Sequence, residues 1–154
     1  MITFTYRMMG SGWSEATLGD GAETVTLDGI SYLSDALRDL IGGVLALLDG
    51  GKRAEFSWFT EPGEFAWLLT HHKQVFSLRV TRFKDWEDFR GKYDRGKTVF
   101  KGRGTLQQFS ESVLAQLDEL YATVGPGGYQ KQWGSSFPFD EYQRLRARLS
   151  ASEH

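Results

Sequence analysis

Residues 2–9 alternate Ile2, Phe4, Tyr6 and Met8 with Thr3, Thr5, Arg7 and Met9, the period of two that predicts a half-buried strand. Gly10-Ser11-Gly12 then supplies a turn. Residues 13–19 and 22–28 read as two more strands, joined at Gly19-Asp20-Gly21, whose glycines accept the positive φ of a hairpin turn. A three-stranded meander is expected. The period changes to helical over Ser34–Leu48, where Leu37, Leu40, Ile41, Val44, Leu47 and Leu48 share a face. Ser34 is the expected N-cap and Gly50-Gly51 the stop. Gly42 and Gly43 interrupt this helix, each costing about 1 kcal/mol relative to Ala. Because the apolar stripe continues in phase across them, close packing against a neighbour is expected rather than a break.

Residues 52–60, 64–72, 74–83 and 96–102 predict four further strands. Glu61-Pro62-Gly63-Glu64, between the first two, suits a type II turn, and that tip places Trp58 opposite Trp67. Leu106–Val124 carries a wide apolar stripe, with Thr105 and Gln108 matching a capping box. Gly125-Pro126-Gly127-Gly128 is expected to stop that helix. Phe137-Pro138 then leads into a short third helix, with Ser150–His154 frayed. The order βββαββββα plus a short C-terminal helix predicts an α+β fold in a single globular domain, residues 1–154. Its sheet is largely antiparallel, with about seven strands and the helices packed on one face. Met9, Trp13 or Leu18, Phe59 and Leu68 put apolar groups on the second face of their strands, so that face is expected to curve closed or to meet another chain.

Composition removes several chemistries. The 154 residues include no Cys, which excludes thiol catalysis and Cys-ligated zinc or iron–sulfur centres. No apolar run approaches the roughly 20 residues of a membrane span, and the first residues lack the pattern of a secretory signal, so a cytoplasmic protein is expected. The net charge of −2 hides a segregation: residues 1–50 hold 2 basic and 7 acidic groups, whereas 51–104 hold 12 and 7. The basic groups from Arg79 to Arg103 gather on two successive strands and their connection, interleaved with Trp86, Phe89 and Tyr93. Such a segment suits single-stranded nucleic acid. Four acids among them, Asp85, Glu87, Asp88 and Asp94, weigh against that and toward a contact with an acidic protein surface.

Candidate catalytic groups are sparse. His71 and His72 are adjacent on a strand and point to opposite faces, which does not suit chelation of one metal. Glu61 and Glu64 bracket a turn, where an acid/base pair is conceivable and a solvated hairpin tip is the ordinary account. No Gly-x-Ser-x-Gly elbow or Gly-x-x-x-x-Gly-Lys-Ser/Thr loop is present. No catalytic residue, cofactor or metal is therefore expected.

Gly12-Trp13-Ser14-Glu15-Ala16, Tyr32-Leu33-Ser34-Asp35-Ala36-Leu37, Trp58-Phe59-Thr60-Glu61-Pro62-Gly63-Glu64, and Trp133 with Phe137-Pro138, resemble a group of small uncharacterised bacterial proteins. Its members are similar in size, acidity and α+β pattern to immunity proteins of bacterial toxin systems. The resemblance implies no catalytic residues. The leading expectation is a non-enzymatic protein–protein interaction module, immunity-type or regulatory, acting on a protein partner or as a homodimer. Trp13, Trp86, Arg90, Tyr93 and Trp133 are its candidate contacts, because tryptophan, tyrosine and arginine dominate interface energetics. Two alternatives remain: a small-molecule or hydrolytic pocket using Glu61, Glu64 and His71 or His72, and nucleic-acid binding through residues 79–103.

Overall fold

The computed structural model describes residues 1–84 and 96–152. Strands β1 (Thr3–Gly10), β2 (Trp13–Gly19) and β3 (Thr24–Ser31) form one antiparallel sheet in the order β1-β2-β3. After helix α1 (Ala36–Leu48), strands β4 (Arg53–Phe59), β5 (Glu64–His72), β6 (Val75–Phe83) and β7 (Lys97–Gly104) form a second, in the order β4-β5-β6-β7. Helices α2 (Leu106–Thr123), α3 (Gly125–Trp133) and α4 (Phe139–Ser152) complete the α+β arrangement. The seven strands are thus split into two antiparallel sheets rather than joined in one. No helix among the described residues is long and apolar enough to cross a membrane.

The inner faces of both sheets share one hydrophobic cluster, to which all eleven elements contribute. Phe4 meets Trp67 edge-on at 6.4 Å and Tyr6 meets Trp58 at 6.0 Å, so β1 leans directly on the second sheet. At their ends β3 and β4 are tied by side chains. Ser31 Oγ donates to Glu61 Oε1 (3.0 Å), and Phe59 N donates to Ser34 Oγ (2.9 Å). That bond engages Ser34, and the N-cap position of α1 falls to Asp35, whose side chain makes no capping bond.

Helix α1 runs unbroken through Gly42 and Gly43, which play different parts. A Cβ on Gly43 would lie 3.1 Å from Phe56 Cε1 and 3.2 Å from Leu69 Cδ1, so the close approach to the sheet is real there. Gly42 faces open space with nothing within 4 Å. Gly42→Ala should therefore raise stability by about 1 kcal/mol through helix propensity alone. Gly43→Ala should gain less, because its methyl must displace two core side chains. Paired urea midpoints of the two variants test this.

The β4–β5 turn is a four-residue loop, Thr60–Gly63, closed by the pair Phe59↔Glu64. Its length shifts the register by two, so Trp58 lies opposite Phe65 and Phe56 opposite Trp67. The two tryptophans meet diagonally instead, with ring centroids 4.5 Å apart.

Helix α2 begins as expected, with the Thr105 side chain accepting from Gln108 N (3.1 Å). The Gln108 side chain does not return to the cap. Its Oε1 accepts from Ile2 N (3.2 Å) and its Nε2 donates to Ile2 O (2.9 Å), while two turns further on Gln116 Oε1 accepts from Tyr6 N (3.1 Å). Two glutamines of one helix thereby bond the open edge of β1 at Ile2 and Tyr6.

The Gly-Pro-Gly-Gly stretch does not lead into a loop. Gly125 turns the chain at φ +75°, and α3 starts at once with Pro126 in its first turn, where the missing N–H costs nothing. The final helix, expected to be short and frayed from Ser150, has 14 residues and remains helical to Ser152. Arg38 ties its first turn to α1 through Glu141 (2.6 Å).

Candidate functional site

The β1–β2 turn is built from three consecutive residues at positive φ: Gly10 (+91°), Ser11 (+54°) and Gly12 (+85°). Tyr32 N donates to Gly12 O (2.9 Å), and a Cβ on Gly12 would lie 2.7 Å from Tyr32 Cδ1, so the tyrosine ring rests on bare backbone. Trp13 opens β2 here, paired with Gly10 on one side and Ser31 on the other. The Tyr32-Leu33 segment is held by Ser31 Oγ, which accepts from Leu33 N (3.2 Å) while donating to Glu61. The result is an apolar end to the three-stranded sheet. Trp13 is 36% exposed, Met9 52%, Tyr32 53% and Leu33 47%, and these are four of the eight large apolar side chains that are exposed among the described residues. The Arg7–Glu15 ion pair (2.5 Å), one cross-strand position along from Trp13, supplies a polar border.

The second surface is the outer face of the four-stranded sheet, which none of the described helices covers. The register lays it out in rows: Arg53, Thr70, Ser77, Arg103; then Glu55, Leu68, Arg79, Lys101; then Ser57, Ala66, Thr81, Thr98. Its floor is small or half-buried, and the twisted sheet leaves two adjoining concavities of about 450 Å³ and 170 Å³ that share Leu68 and Arg79.

The other sequence candidates fall elsewhere. Trp133 is 2% exposed and packs beside Tyr129 at 6.4 Å, which makes it a core residue and not a surface contact. It lies on the buried side of α3, a helix whose Gly-Pro-Gly-Gly start hides it in the sequence. Trp86, Arg90 and Tyr93 lie outside the described residues, as do Lys92 and Arg95 of the basic segment. Glu61 and Glu64 sit at one end of β5 and His71 and His72 at the other. Seven residues of strand separate Glu64 from His71 by roughly 23 Å, so these groups do not converge on one pocket. Glu61 acts as the anchor for Ser31. Met9 is exposed on the second face of its strand, where the alternation put it, whereas Tyr32 and Leu33 are surface residues that the strand periodicity missed; the apolar pair left over between the end of β3 and the first turn of α1 is the signal that marks them.

Beneath the apolar end lies a buried polar group of side chains from three elements and the N-cap of α1. Tyr6 of β1, Ser14 of β2 and Tyr129 of α3 bring hydroxyls to it, and Asp35 a carboxylate. Ser14 lies near the Tyr6 hydroxyl, but no group among the described residues completes a hydrogen bond of ordinary geometry to the hydroxyls of Tyr6, Ser14 and Tyr129 or to Asp35 Oδ1. Burial pushes the Tyr6 hydroxyl well above the usual phenol range, with Ser14 pulling it down and Asp35 adding to the rise. Burial does the same at Tyr129, reinforced by Tyr6 and Asp35 and opposed by Arg38. Both folded values exceed that of an unfolded tyrosine, about 10, so their contribution to stability is whole below about pH 10 and is lost as pH rises past it. Urea midpoints should stay level up to about pH 9 and fall beyond about pH 10, and the Tyr6→Phe/Tyr129→Phe double variant should flatten that fall. Equal slopes in the two proteins would show that these hydroxyls are not the cause.

No family model matches the chain, and neither a curated protein nor a solved structure is similar to it.

Proposed function

We propose that the protein is a non-enzymatic binding module that engages a protein partner through the apolar end of its three-stranded sheet, with Trp13 and Tyr32 as anchors and Met9 and Leu33 around them. The observation that carries this reading is the gathering of half of the described chain's exposed large apolar side chains on one rigid turn region. Scattered apolar residues on a surface need no explanation, whereas a contiguous patch rimmed by polar groups marks a contact. The backbone beneath is fixed by the Tyr32–Gly12 and Ser31–Glu61 bonds, so little ordering entropy opposes docking. The immunity-type or regulatory role implied by the sequence resemblance is the form of this function in which the partner is one cognate protein. A homodimer is the form in which the patch meets its own copy across a two-fold axis.

Trp13→Ala should weaken partner binding by about 30-fold, the effect of removing an interface anchor worth about 2 kcal/mol, while leaving the urea midpoint within about 0.5 kcal/mol of the parent. Sedimentation velocity across a range of concentrations tests the homodimer form, and retention of a partner from lysate by the parent but not by Trp13→Ala tests the heteromeric one. A monomer at every concentration that retains the same proteins with and without Trp13 would remove the proposal.

A further inference from the structure

Among the described residues five arginines are paired with carboxylates. Arg7 meets Glu15, Arg38 meets Asp35 and Glu141, Arg53 meets Glu55, Arg146 meets Asp118, and Arg148 meets Asp49. On the outer face of the four-stranded sheet Arg53 has Glu55, but toward β6 and β7 the basic groups have no such partner among the described residues. Arg79 of β6 lies directly across from Lys101 of β7, a like-charge cross-strand pair, and Arg103 follows two residues along the same face. Like charges facing each other across a ladder are destabilising. No carboxylate among the described residues neutralises any of the three. A local conflict of this kind, uncompensated among the described residues, is where a functional site is expected.

The surroundings specify the missing charge. Ser77 pairs with Arg103 on β7 and with Thr70 on β5, so two half-buried hydroxyls stand in the row beside the Arg79–Lys101 pair. Neither hydroxyl bonds to another described group. These side chains and Leu68 enclose the concavity of about 170 Å³. Two guanidiniums, one ammonium and two hydroxyl donors around so small a volume match a tetrahedral oxyanion carrying two charges, with more donor directions than a single carboxylate would use.

We propose that this concavity binds the phosphoryl group of a phosphate monoester. The organic part of the ligand lies in the adjoining trough of about 450 Å³, a volume within the ordinary range for small-molecule sites, over Ser57, Ala66 and Thr81 and against Phe83. Charge limits the ligand to a single phosphate. Glu64 pairs with Phe83 at the far end of the face, so a second phosphate along the same path would meet a carboxylate. A nucleic-acid backbone, which repeats its charge, is disfavoured for that reason. This site is on the other sheet from Trp13, and its success or failure is separate from that of the protein-binding surface.

Titration of the full chain with phenyl phosphate, followed by calorimetry and by the ligand's phosphorus NMR signal, tests the proposal. The expected result is saturable one-to-one binding, weaker binding of inorganic phosphate because the trough is left unfilled, and a loss of at least about tenfold in Arg79→Gln and Arg103→Gln. A second readout needs no ligand: Arg79→Gln should leave the urea midpoint unchanged or raise it, because the like-charge pair is gone. Three results would overturn the inference. These are no heat and no NMR change at about 10 mM phenyl phosphate, undiminished binding in both variants, or tighter binding of a short single-stranded oligonucleotide with a steep salt dependence.

Discussion

Trp58→Ala should cost about 3–5 kcal/mol, the range for emptying an aromatic site in a packed core. The indole is fully buried where both sheets and α1 meet. Its ring lies 4.5 Å from that of Trp67, 6.0 Å from that of Tyr6 and 6.5 Å from that of Phe56, and its Nε1 donates to Ala36 O (2.9 Å) in the first turn of α1. Trp58→Phe keeps much of the ring packing and loses the hydrogen bond, so its cost should be about 1–2 kcal/mol. Since small domains are stable by about 5–15 kcal/mol, the Ala variant should be visibly unfolded in dilute urea while the Phe variant is not. Urea unfolding followed by far-UV circular dichroism separates the two, and a loss under about 1 kcal/mol for Trp58→Ala would contradict the burial described.

Gly63→Ala should cost about 3 kcal/mol or more, from a single methyl. Gly63 holds φ at +102°, where an L side chain is strained. The added Cβ would strike backbone rather than side chain: Phe83 O, and Lys84 O at 2.6 Å. Rotamers cannot relieve such a clash, so either the turn or the end of β6 must move. The turn is held by Thr60 N donating to Gly63 O (2.9 Å) and Thr60 Oγ1 donating to Pro62 O (2.7 Å), and movement there also pulls on the Glu61–Ser31 bond. Near-UV circular dichroism should therefore change along with the urea midpoint. A midpoint equal to that of the parent would show that the β4–β5 turn tolerates displacement. The contrast with Gly42→Ala, the same substitution with the opposite sign at a helical position with open space, attributes the cost to the local backbone, its positive φ and its crowding together.

The elements that sequence periodicity disclosed are those whose burial is decided by one neighbouring layer. β1, α1 and α2 show it: their stripes of Phe4 and Tyr6, Leu40 and Val44, and Phe109 and Val113 are buried as the pattern requires. What eluded the pattern depends on partners distant in the chain. The division of seven strands into two sheets has no local signature, because β1 chooses α2 rather than a strand as its second neighbour. The register of β4 against β5 follows from a loop of four residues, which Pro62-Gly63 alone does not reveal. Helix α3 was masked by glycines and a proline that conformational preference assigns to a stop, although Pro126 sits at the one helical turn that accepts it. At the candidate sites, Trp13 was legible because it departs from its strand's inward stripe. Arg79, Lys101 and Arg103 were legible only as a basic segment; that they stand together on one face requires the pairing of β6 with β7.

The bonds from Gln108 and Gln116 to β1 join residues 106 and 110 positions apart. On the ribosome, where chains grow at about 5–20 residues per second, the meander is complete for roughly 5–20 s before the helix that covers its edge exists. During that interval the donors and acceptors at Ile2 and Tyr6 face whatever strand another nascent chain offers. Thr3, Thr5 and Arg7, pointing outward along the same strand, are then its defence against mispairing. The helix that completes the fold is thus also the step that ends its exposure to aggregation, and chaperone demand for this chain should peak before α2 emerges.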